Sequence, residues 1–278
     1  MLTGLLIILP LVASLLVFLT KGGTARTLAM AAAVAEFALS VFVYFQFKTN
    51  PAAANLSLNC TWVESMGIKF AVGIDGISML LILLTTFLVP LIILSSYQNN
   101  YDKPNAFYSL ILLMQMALVG VFAANDGFLF YVFWELALIP IYFICLLWGG
   151  ENRGMITFKF FVYTLFGSLF MLIGLIYLYN HTGSVSGIKS WAINDLYSAG
   201  KSLNMDQQSA VFWMIFLAFA IKMPIFPLHT WQPDTYVTAP TQGTMLLSGI
   251  MLKMGTFGVI KWLLPVAPLA LEKWGGTA

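Results

Sequence analysis

The sequence predicts an all-α protein that crosses the membrane many times. Of its 278 residues, 60% are hydrophobic and only 9% are charged, whereas soluble domains carry about 25% charged residues. Apolar runs of about 20 residues recur along the chain, and each can cross the hydrocarbon core of a bilayer as a helix. The chain therefore belongs in the lipid bilayer, and a soluble fold is excluded.

Eight such runs predict about eight transmembrane helices. They cover residues 2–20, 27–47, 76–97, 107–124, 128–148, 156–179, 210–228 and 241–263. The seventh helix is predicted to be discontinuous, because Pro224 and Pro227 follow Lys222 and each proline removes a backbone donor. No basic region precedes the first run, so we expect a retained helix and no cleaved signal.

Two long connections have patterns of their own. Hydrophobic and polar residues alternate on both sides of a turn that contains Gly67, which predicts a β-hairpin at about 55–74 on the membrane surface. Residues 184–208 are polar and predict a surface loop with room for a short amphipathic helix. The basic residues of the short loops, Lys21, Arg26, Lys103 and Arg153, favour an N-terminus on the outside.

Four charged side chains lie well inside the apolar runs: Glu36, Glu135, Lys222 and Lys253. At 1.5 Å per residue, Glu135 is about 12 Å deep and both lysines are about 18 Å deep. These depths lie near the midplane of a core that is about 30 Å thick. We therefore expect Glu135, Lys222 and Lys253 to form a row across the membrane.

Such a row suits proton transfer. An amine deprived of water gives up its proton readily, and a nearby carboxylate such as Glu135 opposes that loss at Lys222. His229 lies beyond the helix break and could carry the proton onward. Simpler interpretations remain open: a structural ion pair for Glu135 and Lys222, a helix cap for His229, no relay role for Lys253, and a paired or neutral carboxyl for Glu36.

The sequence has no pattern for a resident cofactor. Its two cysteines, Cys60 and Cys145, are far apart, and no cluster of Cys or His, GxGxxG motif or Walker A motif is present. We therefore expect no cofactor and no metal in this chain. The basic residues are scattered, so we expect no nucleic-acid partner.

Three long motifs resemble one known family. They are NDGFLFYVFWELALIPIYFICLLWGG (125–150), KFFVYTLFGS (159–168) and AIKMPIFPLHTWQPDTYVTAPTQG (220–243). They resemble the antiporter-like membrane subunits of respiratory NADH:quinone oxidoreductase (complex I) and of Mrp-type cation/proton antiporters. VGIDGIS (72–78) is similar to the start of the family's third helix, and ELALIPIYF is most similar to its chain-4 branch, also called subunit M.

The resemblance implies proton translocation through Glu135, Lys222 and Lys253, with His229 in the matching HTW position. It implies that NADH, FMN, the iron–sulfur clusters and quinone are bound by partner subunits. The expected partners are other membrane subunits of complex I, the lipid bilayer and, indirectly, the quinone pool. The expected location is the bacterial cytoplasmic membrane. The alternatives are a subunit of an Mrp antiporter or membrane-bound hydrogenase, and a structural membrane scaffold.

The resemblance also predicts the organisation of the chain. Residues 1–106 would hold helices 1–3 with the hairpin, and 107–263 the first of the family's two inverted repeats, with helices 4–8 and the proton half-channel. Residues 264–278 would be a short tail, too brief for another span. The sequence is therefore expected to be an N-terminal fragment.

Overall fold

A computed structural model describes residues 1–20 and 23–277. Lys21, used above for the orientation, and Ala278, in the predicted tail, lie outside the described residues. The helices are α1 (Leu2–Leu19), α2 (Thr24–Thr49), α3 (Gly76–Ser95), α4 (Pro104–Ala123), α5 (Gly127–Trp148), α6 (Arg153–Ser186), α7 (Ile193–Ser202), α8 (Met205–Lys222), α9 (Gln232–Thr238), α10 (Thr241–Val266) and α11 (Pro268–Trp274). Two antiparallel strands, β1 (Ser57–Val63) and β2 (Ile68–Gly73), complete the fold.

Among the described residues, seven helices are long and apolar enough to cross a membrane, namely α1–α6 and α10. Helix α8 is not one of them, because its first turn holds Asp206, Gln207 and Gln208. It carries the apolar part of the seventh predicted span but ends at Lys222, earlier than predicted. A discontinuous seventh helix is thus confirmed, as α8 followed by the short α9.

Helix α4 lies at the centre of the bundle. Nearly all its residues from Phe107 to Ala123 are buried, and it packs against α1, α2, α3 and α5. Polar contacts set its register: the Ser14 hydroxyl donates to the Ser109 carbonyl at 2.9 Å, and Arg26 Nε donates to the Tyr108 hydroxyl at 3.1 Å. The first four helices therefore form one packed group.

The predicted hairpin is present and is fastened to the helices. Its turn has Gly67 in the left-handed region at φ 65°, which glycine adopts without a steric cost. The Thr3 hydroxyl donates to the Leu56 carbonyl at 2.6 Å. Asp126 accepts hydrogen bonds from the Lys69 amide and, as the N-cap of α5, from the amides of Phe128 and Leu129. One buried carboxylate therefore holds both the hairpin and the start of α5.

The predicted polar loop contains the short helix α7, with Ile193, Leu196 and Ala199 on its buried side. Helices α6 and α8 pack closely because α6 has glycine at the contact. A β-carbon on Gly167 would lie 2.8 Å from the Ile221 side chain and 3.1 Å from the backbone of Ala218. This contact brings the middle of α6 beside the end of α8.

Helices α5 and α10 are each irregular at one or two places. In α5, Pro140 supplies no amide to the carbonyl four residues earlier, and the helix is interrupted at Ala137. Helix α10 contains two π-helical segments, Leu247–Met251 and Val259–Leu263. Such wide turns redirect side chains and are frequent at functional sites.

Candidate functional site

The break after α8 is stabilised by new partners for the freed backbone. Since Pro224 has no amide hydrogen, the Ala220 carbonyl accepts instead from the Ile225 amide at 2.9 Å. The Ile221 carbonyl accepts from the indole Nε1 of Trp231 at 3.0 Å. The tryptophan thus replaces a helix hydrogen bond one residue before Lys222.

The segment after the break is fixed to α6. Lys159 Nζ donates to the Thr230 carbonyl at 2.9 Å and lies 2.8 Å from the Asp234 carboxylate. The Tyr163 and Thr230 hydroxyls are 2.8 Å apart. Lys159, in the second turn of α6, is therefore an anchor of the broken segment.

Lys222 is buried at the end of α8, with 2% of its surface exposed. Its Nζ lies 5.5 Å from the centre of the Trp134 ring, and it interacts electrostatically with Glu135. Within the part of the chain that the structure describes, no carboxylate oxygen lies within 4.0 Å of this Nζ. Lys222 and Glu135 are therefore close enough to interact, but they do not form the closed ion pair of the structural alternative.

Glu135 is half-buried on α5. Its polar neighbours are the hydroxyls of Tyr131 and Ser168, and Ser168 follows the glycine at which α6 contacts α8. Among the described residues, Glu135 Oε1 has no hydrogen-bond partner. The carboxylate is therefore held at the α5–α6–α8 contact with one oxygen still able to accept.

Lys253 lies on α10, beside the same break. Its Nζ donates to the Ser248 carbonyl at 2.6 Å, within the first π-helical segment. It also faces a groove of about 380 Å³, which is lined by Met223, Ile225, Leu252, Lys253 and Thr256. Met223 directly follows Lys222 and Ile225 follows Pro224, so the groove at Lys253 borders the break.

His229 lies half-buried within the broken segment. Its ring centre is 5.6 Å from that of Phe226. Nδ1 is buried and has no hydrogen-bond partner within the described ranges, so the ring nitrogen does not cap a helix through Nδ1. The shuttle role of His229 remains a prediction.

Glu36 lies outside this group, on α2. It is fully buried, and neither carboxyl oxygen has a hydrogen-bond partner in the described chain. The described residues therefore show no direct hydrogen bond from Glu36 to a neighbouring helix, and a paired or neutral carboxyl stays a prediction.

A charge pair between a buried lysine and a half-exposed aspartate is present that the sequence patterns do not predict. Lys261 Nζ on α10 lies 2.9 Å from the Asp75 carboxylate, 3.2 Å from Asn125 Oδ1 and 3.3 Å from the Ser78 hydroxyl. The Tyr197 hydroxyl donates to the Lys261 carbonyl. Asp75 lies in VGIDGIS and Asn125 begins NDGF, so two of the recognisable motifs meet at this lysine.

The surroundings of Asp75 and Asp126 shift the pKa values of their carboxyl groups. Burial raises the pKa of Asp75, but the Lys261 ammonium and the Ser78 amide outweigh it and hold the pKa below its usual value. For Asp126, burial raises the pKa more than its amide hydrogen bonds lower it. Asp75 is therefore the carboxylate whose charge the fold stabilises.

Aromatic contacts connect the surroundings of Lys222 with those of Lys261. Phe130 on α5 stacks on Trp262, with ring centres 4.5 Å apart, and Trp134 one turn later is 5.4 Å from Phe219. Trp262 follows Lys261, and Trp134 lies under Lys222. Aromatic side chains of α5 thus contact the surroundings of both lysines.

Comparison with known proteins assigns the chain to a family. Residues 124–275 match the transmembrane family described as NADH:quinone oxidoreductase/Mrp antiporter, and residues 1–122 match the amino terminus of NADH-ubiquinone oxidoreductase chain 4. The F(420)H(2) dehydrogenase subunit M of Methanosarcina mazei is 38% identical over 95% of this chain and 54% of its own length. The NADH-quinone oxidoreductase subunit M of Rickettsia typhi is 36% identical over 94% of this chain and 54% of its own length.

A solved structure shares the fold. A chain of respiratory complex I from Thermus thermophilus matches with a TM-score of 0.85 and 32% identity, over 99% of this chain and 55% of its own length. The chain thus spans about half the length of the relatives it matches. The membrane fold expected from the resemblance is confirmed. This integral membrane protein belongs to the NADH:quinone oxidoreductase/Mrp antiporter family of transmembrane proteins.

Proposed function

We propose that the chain is a proton-translocating membrane subunit of an NADH:quinone oxidoreductase. Support comes from relatives named as subunit M of that enzyme and from the similarity to a chain of a respiratory complex I. In this proposal NADH, FMN, the iron–sulfur clusters and quinone are bound by partner subunits. This chain contributes the path for protons through the membrane, in contact with the other membrane subunits.

The observation that carries the proposal is the state of Lys222. It is buried at a helix break, beside a carboxylate with which it interacts without a closed ion pair. A carboxylate that approaches favours the protonated amine, and one that withdraws favours release of the proton. Small movements of Glu135 at the α5–α6–α8 contact would therefore load and unload Lys222.

The released proton needs an acceptor at the same depth. Lys253 faces the groove that begins at Met223, and water in such a groove would carry the proton between the two amines. His229, with its unpartnered Nδ1, is the acceptor that we assign to the other side of the break. The proposed path is thus Glu135–Lys222–Lys253, with His229 as a branch.

We further propose a bacterial cytoplasmic membrane with the N-terminus outside. Arg26 donates to the Tyr97 carbonyl, and the Trp148 indole donates to the Asp102 carbonyl. The loop between α3 and α4 holds Lys103. The first contact joins this loop to the basic start of α2, and the second joins it to the end of α5. Basic residues therefore gather at one end of the bundle, which is the cytoplasmic end by the positive-inside rule.

Two alternatives have specific support. The matching family model covers Mrp antiporters, and one relative is an F(420)H(2) dehydrogenase subunit. In either case the same buried residues would move protons, with another driving reaction. A scaffold without transport is the third alternative.

Reconstitution tests these candidates. The assembled complex, purified through a tag on this chain, is placed in liposomes, and proton transport is followed during NADH oxidation by quinone. We expect transport that depends on NADH and is lost in Glu135→Gln, whereas the exposed control Glu151→Gln transports normally. Sodium-dependent exchange without NADH oxidation would favour the antiporter. An unchanged ratio of protons to electrons in Glu135→Gln would favour the scaffold.

A further inference from the structure

Two buried polar side chains in the first four helices lack partners. Glu36 on α2 and Gln115 on α4 are both fully buried. Within the described residues, neither carboxyl oxygen of Glu36 and neither amide atom of Gln115 has a hydrogen-bond partner. Buried polar groups in proteins are nearly always paired with protein or ordered water. Two orphaned side chains on neighbouring helices therefore indicate a shared partner.

The depth of Glu36 follows from contacts between α2 and α3. The Ser40 and Thr86 hydroxyls are 2.7 Å apart, which sets the register of these helices. Ser96 lies about 15 Å from Thr86 along α3. Glu36 lies one turn, about 6 Å, from Ser40 on the side toward the level of Ser96. Glu36 is therefore about 9 Å above the level of Ser96.

The depth of Gln115 follows from contacts between α3 and α4. The Ser96 and Tyr108 hydroxyls are 2.7 Å apart. Gln115 is two helical turns, about 10 Å, beyond Tyr108 and on the same helix face. Since Tyr108 contacts both α3 and Arg26 of α2, this face looks into the seam between α2 and α3. Gln115 and Glu36 thus meet that seam at nearly the same depth.

Helix α3 supplies a third polar group at this level. Pro90 lies six residues before Ser96, about 9 Å along the helix. It has no amide hydrogen, so the Thr86 carbonyl, which points along the helix toward Pro90, lacks its usual donor. The first four helices therefore hold a carboxyl, a carboxamide and a backbone acceptor at similar depths.

Among the described residues, no ion pair neutralises Glu36. Arg26, the basic residue of α2 nearest to Glu36 in sequence, donates to the Tyr97 and Asn99 carbonyls at the end of the bundle. The ion pairs of the described chain involve other residues. An ionised carboxylate without water or a cation is strongly disfavoured, so burial selects the neutral acid.

We propose that Glu36, Gln115 and the Thr86 carbonyl form a buried water-binding site in which Glu36 is a neutral carboxylic acid. The Glu36 hydroxyl donates to the water, and the water donates to the Thr86 carbonyl. The Gln115 amide completes the hydrogen bonds of the water. This site lies in the helices before Glu135 and does not rest on the proposed function. It gives the first four helices a protonatable group of their own.

Infrared spectroscopy tests the site directly, because a carboxylic acid has a carbonyl band that a carboxylate lacks. At neutral pH, membranes with the wild-type protein should show an acid band that is absent in Glu36→Gln. The band should shift in D₂O and should also shift in Gln115→Leu. The exposed control Glu64→Gln should leave it unchanged.

Two outcomes would overturn the proposal. One is an acid band that is equal in wild type and Glu36→Gln, which means that Glu36 is ionised. The other is a Glu36 band that Gln115→Leu leaves unmoved, which means that Gln115 shares no water with the acid. If Glu36→Gln does not accumulate, Glu36→Asp replaces it, since it keeps the acid and must displace the band.

Discussion

The Lys261–Asp75 pair predicts an unequal response to removal of its two charges. Lys261 is buried, whereas the Asp75 side chain is 49% exposed. Asp75→Asn leaves a buried ammonium with only neutral acceptors but keeps the N-cap bond to Ser78, because asparagine caps as well as aspartate. Breaking a buried pair costs 3–5 kcal/mol, and exposure of the carboxylate reduces this to about 2 kcal/mol.

Lys261→Met should be milder. It leaves a carboxylate that water can reach, and methionine fills most of the space of the lysine stem, so we expect a cost below about 1 kcal/mol. Thermal unfolding in detergent, followed by tryptophan fluorescence, should show a loss of about 4–8 °C for Asp75→Asn and below about 3 °C for Lys261→Met. The double variant should resemble Lys261→Met. A greater loss in Lys261→Met than in Asp75→Asn would refute the reasoning.

Three further predictions use the same assay. The pKa of Asp75 is held below its usual value. The ionised Asp75 therefore stabilises the fold above a pH of about 4, and this stabilisation is lost as the pH falls through the lowered pKa. In Lys261→Met this pH-dependent loss should vanish. Gly167→Val should force α6 from α8 and cost about 1–3 kcal/mol, whereas Gly154→Ala, with open space around it, should be neutral or stabilising. Asp126→Ala should cost about 1–2 kcal/mol and Asp126→Asn less, because asparagine keeps the cap; equal losses would contradict the capping role.

The break in the seventh helix was predictable because its cause is local. Pro224 and Pro227 cannot donate backbone hydrogen bonds, whatever surrounds them. The cap that Trp231 provides to the Ile221 carbonyl was not predictable. It depends on how nine intervening residues fold and on their anchoring to α6.

The depths of the buried charges stay predictions, although helical rise makes the position of each charge along its helix depend on residue number alone. Depth does not give the direction in which a side chain points. Glu135 and Lys222 share one contact region, whereas Lys253 faces a groove that borders the helix break at Met223. The relay roles themselves stay predictions.

The pair between Lys261 and Asp75 shows where counting along the chain fails. Both residues lie near the ends of predicted spans, where charged side chains usually reach toward water. Their contact joins α10 to the start of α3, across most of the sequence, and only tertiary packing brings them together. The occurrence of Asp75 and Asn125 in two recognisable motifs was the available signal.

The central claim is that Lys222 carries the transported proton. The most direct test is the ratio of protons transported to electrons transferred in liposomes that contain the assembled complex with Lys222→Met. The exposed Lys48→Met serves as the matched control, and subunit content is measured in both. We predict that the ratio falls in Lys222→Met while the complex remains assembled, and that Lys48→Met keeps the wild-type ratio. A wild-type ratio in Lys222→Met would contradict the account.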